Sequence, residues 1–219
     1  MPPAISVIIP TRNEADHLQA TLESVNPGDL EAEIIVVDAN STDATVSIAI
    51  DAGCHVITSP VASRSKQQNL GAAQAAANIL LFLHADTRLP PNALTQITSA
   101  LNSPRNLVGG AFARFFDSPS LLLKLTCKLA ALRSRHFHLF LGDQAIFVRR
   151  NIFEKLNGFD ESVTQCEDLD LSLRLRQSGP TTVLSPPVLT SARRFQKHGP
   201  LKTTLNDFQT AYSFLESKK

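Results

Sequence analysis

The sequence predicts an α/β protein with a doubly wound, mainly parallel sheet and helices on both faces. Short β-branched runs alternate with stretches of helical periodicity in the first hundred residues, which is typical of a parallel sheet. Residues 79–83 are five consecutive large apolar residues, as in a strand buried on both faces. Polar turns follow three of these runs, and ligands of open α/β sheets bind beyond the carboxyl ends of the strands.

The first hundred residues contain four predicted strands separated by helices. These strands are 5–9, 34–37, 56–57 and 79–83. The first helix has apolar residues at helical spacing and ends at Pro27-Gly28, and the second ends at Gly53. A polar, basic segment over 63–69 precedes a third, Ala-rich helix, and a fourth helix begins after Asn92. The predicted ranges of these last two helices are 70–77 and 92–101.

The second half continues with strands and helices of less regular order. We predict a strand over 108–116 and a short strand at 183–184 that ends before Pro186-Pro187, and the segment that starts at 142–144 becomes apolar over 145–148. Helices are predicted over 120–135, 152–156, 167–177 and from about 201 onward. The helix over 167–177 begins with acidic residues and ends at Gly179-Pro180, as helix boundaries commonly do.

Composition limits the classes of function. The 219 residues suit one α/β domain, and 21 Lys and Arg against 20 Asp and Glu give no indication of a nucleic-acid partner. Three widely spaced cysteines without metal spacing predict reduced thiols and a cytoplasmic protein. The first apolar segment is too short for a signal peptide, and no apolar run approaches the roughly 20 residues of a membrane span.

The polar turns carry the candidate chemistry. Asp38 follows the second strand and can accept hydrogen bonds from a base or ribose, and Arg64 and Lys66 can hold a diphosphate. His84 and Asp86 end the strand over 79–83 and project to the same side, where a divalent cation would suit them. The alternative is a polar turn in which Asp86 caps a helix near residue 90. Neither a dinucleotide-binding Gly-rich turn nor a Gly-Lys-Ser/Thr loop is present.

Glu167 and Asp168 have two interpretations that spacing alone leaves open. Carboxylates at a helix start are stabilised by the helix dipole, so both residues can be structural. A carboxylate there can equally act as general base on an acceptor hydroxyl.

Four motifs in order resemble those of glycosyltransferase family 2. They are Val7-Ile8-Ile9-Pro10-Thr11-Arg12-Asn13-Glu14, Val37-Asp38-Ala39-Asn40-Ser41-Thr42-Asp43, Phe82-Leu83-His84-Ala85-Asp86 and Glu167-Asp168-Leu169-Asp170-Leu171. Segments 142–150 and 190–195 resemble one compact bacterial subgroup of that family. The resemblance implies a single GT-A domain over 1–219, with residues 1–100 binding a nucleotide sugar and residues 101–219 forming the acceptor-binding half and a C-terminal helix.

The resemblance also implies an inverting, metal-assisted transfer from a nucleoside-diphosphate sugar to an acceptor hydroxyl. Asp168 is then the catalytic base, supported by Glu167, and Mg²⁺ or Mn²⁺ is held by Asp86, His84 and His198. The acceptor site comprises Gly142, Asp143 and Gln144. The donor site comprises Pro10, Thr11, Asn13, Glu14, Asp38, Arg64, Lys66, Gln67, Asn69, His84, Ala85, Asp86, Arg193 and Arg194.

Departures from the family motifs keep alternatives open. Ala39 and Asn40 replace Asp and Gly of the usual turn, and His84 replaces the first Asp of Asp-x-Asp. The alternatives are a nucleotidyltransferase-like sugar-phosphate enzyme and a degenerate protein that binds nucleotide sugars without turnover. The basic, leucine-bearing helix over 120–135 is either a packing helix or a peripheral contact with the inner face of the plasma membrane. In the second case the acceptor is lipid-linked or isoprenoid.

Overall fold

A computed structural model describes residues 3–25, 28 and 30–218. Pro27, which the sequence analysis placed at the end of the first helix, lies outside these residues. The strands are β1 (Ile5–Thr11), β2 (Ala32–Asp38), β3 (His55–Thr58), β4 (Ile79–Phe82), β5 (Thr87–Arg88), β6 (Gly109–Phe116), β7 (Ile146–Arg149) and β8 (Thr181–Thr190). The helices are α1 (Ala15–Ser24), α2 (Thr45–Asp51), α3 (Arg64–Gln74), α4 (Ala93–Leu101), α5 (Leu121–Phe137), α6 (Arg150–Lys155), α7 (Glu167–Ser178), α8 (Arg193–His198) and α9 (Pro200–Ser217).

The eight strands form one mixed sheet in the order β3-β2-β1-β4-β7-β6-β8-β5. Strands β3, β2, β1 and β4 are parallel, and β6 is parallel to β8. Strand β7 is antiparallel to both of its neighbours, and β5 is antiparallel to β8. The predicted α/β fold with a mainly parallel sheet is confirmed, with β7 as an antiparallel insertion in the middle.

Alternation along β1 explains why helices cover both faces of the sheet. Val7 and Ile9 belong to the core that includes residues of α1, α2 and α4. Ile8, between them, belongs to the core that includes residues of α3, α6 and α7. Successive strand side chains point to opposite faces, so a fully apolar strand buries both. The doubly wound arrangement is therefore confirmed.

Two elements differ most from their predicted bounds, and strand β5 and helix α8 were not predicted. Helix α3 begins at Arg64 rather than residue 70, because the polar side chains of its first turns alternate between solvent and buried hydrogen bonds instead of forming an apolar stripe. Strand β8 continues through Pro186-Pro187 to Thr190. Its pairing with β6 shifts register between Leu184 and Val188, so the prolines occupy an irregularity where no ladder N–H is required.

The C-terminal helices lie beyond β6. Helix α5 packs on β6 and buries Leu123, Cys127 and Ala130. Helix α9 packs against α8 and α5. Among residues 3–25, 28 and 30–218, no helix combines the length and hydropathy that crossing a bilayer requires.

Candidate active site

The turns that follow β1 and β2 are joined through Asp38. The Thr11 hydroxyl donates to Asp38 Oδ1 at 3.0 Å, and the Ser41 backbone N–H donates to Oδ2 at 2.8 Å. Asn13 Oδ1 accepts from the backbone N–H of Thr42 at 2.8 Å, which links the same two turns. Asp38 is only 2% exposed. The structure therefore gives Asp38 a role in fixing the turn geometry, beside the nucleoside contact that the sequence predicts.

Arg193 bridges two acidic residues at the sheet edge. Its guanidinium donates to both oxygens of Glu14, at 2.7 and 2.8 Å, and lies 3.1 Å from Asp86 Oδ2. Glu14 follows β1, Asp86 lies between β4 and β5, and Arg193 follows β8. The structure thus brings together three predicted donor-site residues from distant parts of the chain. The two carboxylates raise the pKa of Arg193, so the guanidinium stays charged.

Asp168 lies in the first turn of α7 with both oxygens accepting hydrogen bonds. The backbone N–H of Gly142 donates to Oδ2, and that of Leu169 donates to Oδ1 at 2.7 Å. Loss of hydration, followed by the neighbouring charge of Glu167, raises the pKa of Asp168 to about 6 despite these bonds. A carboxylate with this pKa is ionised near neutral pH and still basic enough to accept a proton.

His84 lies beside Asp168 across Gly142. A Cβ at Gly142 would stand 2.5 Å from His84 Nε2 and 3.2 Å from Asp168 Oδ2, so only glycine fits between the two side chains. Burial and then the charge of Arg64 lower the pKa of His84, which keeps the imidazole neutral. The side chains of His84 and Asp168 therefore share one polar pocket with the backbone of Gly142.

Asp143 and Gln144 behave differently although they are adjacent. Asp143 forms an ion pair with Arg114, and its buried Oδ1 receives no hydrogen bond from the described residues. Gln144 is fully buried, accepts from Arg133, and donates to the Phe112 carbonyl at 3.0 Å. Asp143 is thus held by Arg114, and its unpaired oxygen is enclosed by protein atoms. Gln144, predicted to contact the acceptor, is instead part of the protein interior because its amide is already used.

Several predicted donor-site residues on α3 are also used inside the protein. The buried Gln67 amide donates to the carbonyls of Thr11 and Val37, at 2.9 and 2.7 Å. The Asn69 side chain exchanges hydrogen bonds with the backbone of Phe159, both at 2.9 Å. Both residues thus link separate segments of the protein, and their contact with a nucleotide sugar stays a prediction.

The basic residues of α3 remain at the surface. Arg64 is 63% exposed and lies 3.8 Å from Glu167, and Lys66 is exposed on the next turn. Both can reach a negatively charged ligand at the sheet edge. Glu167, only 9% exposed, is linked to the donor side of the site through Arg64.

The remaining predicted residues lie at the margins of this site. Arg194 pairs with Asp207 of α9 instead of pointing to the donor site. Ala85 is buried, with its carbonyl accepting from Thr21, and Pro10 pairs with Val37 inside the sheet. Burial raises the pKa of the Cys166 thiol to about 11, which opposes a nucleophilic role. Sequence reasoning missed Arg114 and Arg133; an isolated basic residue in an apolar strand was the available signal for Arg114.

The donor atoms present fit a cation that is shared with a substrate. Among the described residues no group of three or more His, Cys, Asp or Glu side chains converges, so His84, Asp86 and His198 do not form one three-ligand site. Asp86 offers a half-buried carboxylate, and the neutral His84 is in the form that binds metals. Mg²⁺ and Mn²⁺ commonly bind through one or two protein ligands together with substrate phosphates.

A cavity of about 450 Å³ lies between the residues immediately before α7 and the side of α9. Its lining residues are Gln165, Cys166, Gln209, Thr210, Ser213 and Phe214. Four of these six carry polar groups that can bind hydroxyls, and the aromatic ring of Phe214 adds an apolar surface.

The sheet order and the acidic turns at its edge define an α/β protein of the GT-A class. The model of the family described as "Glycosyl transferase family 2" matches residues 6–156. The chain belongs to glycosyl transferase family 2.

Three similar proteins illustrate the family. The 4,4'-diaponeurosporenoate glycosyltransferase of Staphylococcus haemolyticus is 36% identical over 93 residues, which cover 39% of this chain and 25% of that protein. The structure of S. aureus TarS 1-349 in complex with UDP has a TM-score of 0.69 and 19% identity over 86% of this chain and 60% of that one. The mannosyltransferase PcManGT from Pyrobaculum calidifontis, in complex with GDP-Man and Mn²⁺, has a TM-score of 0.66 and 22% identity over 87% of this chain and 57% of that one.

Proposed function

We propose that this chain transfers a sugar from a nucleoside-diphosphate sugar to a hydroxyl of an acceptor, with inversion at the anomeric carbon. The family supports the class of reaction. The observation that carries the proposal is Asp168: a half-buried carboxylate with a pKa of about 6, held by the Gly142 N–H beside His84. This arrangement suits a base better than a helix cap, because a cap gains stability from a lowered pKa.

In the proposed reaction Asp168 removes the proton of the acceptor hydroxyl. The hydroxyl oxygen forms a bond to the anomeric carbon from one face of the sugar, while the bond to the diphosphate oxygen on the opposite face breaks. The nucleoside diphosphate leaves with the bonding electrons, and Arg193, Arg64 and Lys66 offset its negative charge. The hydrogen bonds from Gly142 and Leu169 keep the carboxylate oriented during the proton transfer.

The donor site is proposed at the edge where β1, β2 and β4 end. Relatives of this fold are bound to UDP and to GDP-Man with Mn²⁺. We propose that Asp86, with His84, binds Mg²⁺ or Mn²⁺ together with the donor diphosphate, and this cation would act as a Lewis acid for the leaving group. Arg193 already pairs with one oxygen of Asp86, so a bound cation would have to share this carboxylate with the guanidinium.

We propose that the acceptor binds in the cavity between Gln165 and α9, whose lining residue Cys166 precedes Asp168 by two positions. A carotenoid acid is the substrate named for the staphylococcal relative, which favours an apolar or lipid-linked acceptor for this chain. Phe214 provides the apolar part of the cavity wall.

The substitution Asp168→Asn tests the proposed base. We expect sugar transfer and donor hydrolysis to fall by about 10²–10⁴-fold, because an amide cannot accept the proton. Binding of UDP or GDP, measured by calorimetry, should stay within about twofold. Asp16→Asn is the control, since Asp16 also lies in the first turn of a helix but is exposed and outside the site.

Full activity in Asp168→Asn would refute the assignment of the base. If wild-type protein bound nucleotides but hydrolysed no nucleotide sugar in a screen of donors, the alternative of a non-catalytic binding protein would hold instead.

A further inference from the structure

Helices α5 and α9 each carry an outward face of large apolar side chains. On α5 the spacing of four, four and three residues keeps the exposed leucines on one side, opposite the buried face. On α9 the spacing is four, three and four. Nine of the twelve large apolar side chains that the described residues expose belong to these two helices: Leu121, Leu125, Leu129, Leu132, Phe137, Leu201, Leu205, Phe208 and Tyr212.

The apolar side chains on these two helices are more exposed than imperfect packing would leave them. Leu121 is 81% exposed and Phe208 is 70% exposed. Because α9 packs against α5, the two apolar faces lie on neighbouring helices of the same part of the molecule. Exposed large apolar side chains concentrated on two helices that pack together indicate an interaction site.

Charge indicates what covers this surface. Helix α5 contains four Lys and Arg residues and no Asp or Glu, although the whole chain has a net charge of only +1. Lys124, Lys128 and Arg135 are exposed, and Lys202 adds a further exposed cation at the start of α9. A symmetric contact with a second copy would place the same basic helix faces against each other, which is unfavourable. An anionic bilayer complements both the leucines and the cations.

Both helices are joined directly to the candidate active site. The chain leaves α5 at Phe137 and reaches Gly142, which binds Asp168, within five residues. The chain enters α8 at Arg193, which binds Glu14 and Asp86, and α9 follows after Gly199. Helix α9 also forms one wall of the cavity beside Cys166. A surface that contacts α5 and α9 is therefore close to the place where an acceptor would enter.

We propose that α5 and α9 dock this protein on the surface of an anionic bilayer, with their leucine and aromatic side chains entering the headgroup region. The docked protein takes a hydroxyl-bearing amphiphile from that bilayer as its acceptor. The identity of the acceptor rests on the proposed transferase function, whereas the docking rests only on the two helix faces.

Vesicle co-sedimentation with the full chain tests the docking. The comparison uses two kinds of vesicle. One is phosphatidylcholine with about 30 mol% phosphatidylglycerol, and the other is pure phosphatidylcholine. We expect binding to the anionic vesicles that weakens at high salt, as electrostatic attraction to a charged surface does. The variant L125S/L129S/L205S/F208S should bind at least about tenfold more weakly, because it lacks four apolar side chains that would enter the bilayer.

The variant K124Q/K128Q separates the charges from the apolar faces. Each basic residue near an anionic surface contributes about 1 kcal/mol, so losing two should weaken binding about thirtyfold. I50S/V61S is the matched control, since both residues are exposed and apolar but lie on other elements. This control should bind as the wild-type protein does.

Three outcomes would overturn the docking. They are equal wild-type binding to neutral and anionic vesicles, unchanged binding by the four-residue variant, and a stable dimer in sedimentation velocity that the same four substitutions dissociate. Donor hydrolysis in solution is measured in parallel and should be unchanged by the four substitutions. Its absence from wild-type protein would overturn the proposed function, while vesicle binding decides the docking independently.

Discussion

Asp168 meets two requirements that oppose each other. Its place in the first turn of α7 and the hydrogen bonds from Gly142 and Leu169 favour the ionised carboxylate. Desolvation and the charge of Glu167 oppose ionisation and prevail, so the pKa rises to about 6. Because this pKa exceeds the ordinary value near 3.8, ionisation of Asp168 costs stability as pH rises through this interval. The residue is thus tuned for proton transfer at the expense of stability.

A pH profile follows from this pKa. If Asp168 is the base, kcat/KM for sugar transfer should be constant above about pH 7 and fall about tenfold per pH unit below about pH 6, since only the carboxylate accepts a proton. Initial rates at subsaturating donor, measured from pH 5 to pH 8, check this. A profile that is flat down to pH 5 would contradict the assignment.

Position 142 has no room for a side chain between His84 and Asp168. We expect Gly142→Ala to lower the free energy of unfolding by about 1–3 kcal/mol and to reduce transfer, because the methyl group would collide with the His84 imidazole. The double variant His84→Ala with Gly142→Ala provides the space and should recover part of this stability. Urea unfolding of the two single variants and the double variant measures the coupling. Strict additivity would show that the two side chains do not compete for space.

At the scale of elements, the start of α3 and the extent of β8 could not be predicted from the sequence. The apolar strands were predictable because burial on both faces leaves a continuous apolar signature. Helix α3 carries no such stripe at its start, where its buried positions are Ser65, Gln67 and Gln68. The carbonyls that the Gln67 amide binds belong to residues 30 and 56 positions away in sequence. The continuation of β8 past two prolines depends on a register shift in β6, which is a property of the pair and not of either segment.

A substitution at Gln67 measures how much the contact between α3 and the sheet contributes to the free energy of unfolding. Replacing Gln67 with Leu should lower the free energy of unfolding by about 2–4 kcal/mol, because the buried carbonyls of Thr11 and Val37 would each lose a donor. Gln74, at the end of the same helix and exposed, is the control position for a Gln→Leu change. Chemical denaturation compares the two variants. A loss below about 0.5 kcal/mol would mean that these hydrogen bonds are replaced by water.

At the scale of the whole molecule, the site is assembled from both ends of the chain. The order of motifs was enough to predict the α/β fold, the family and the elements that carry Glu14, Asp86 and Asp168. It was not enough to predict the pairing of Arg193 with two of them, or the hydrogen bonds that Gln144, Gln67 and Asn69 make with other segments. Such contacts depend on side-chain geometry between distant segments, and no local pattern records them.

Nucleotide binding should stabilise the whole fold. At about 100 times the dissociation constant, UDP or GDP with Mn²⁺ should add about 2.7 kcal/mol and raise Tm by about 5–10 °C. Asp86→Ala should remove the part of this shift that requires Mn²⁺, while Asp117→Ala, at an exposed aspartate in a surface ion pair, should not. Thermal denaturation with and without Mn²⁺ checks this. An equal shift with and without the cation would contradict the metal-assisted part of the proposal.

The ion pair between Arg193 and Glu14 has a consequence for protein synthesis. The two residues are 179 positions apart. At ribosomal rates of about 5–20 residues per second, roughly 5–20 s pass between translation of residue 100 and translation of Arg193. Throughout that time the nascent chain contains Glu14 and Asp86 but lacks Arg193, whose positive charge pairs with both of them. A newborn polypeptide therefore acquires its complete donor edge only after Arg193 has been translated.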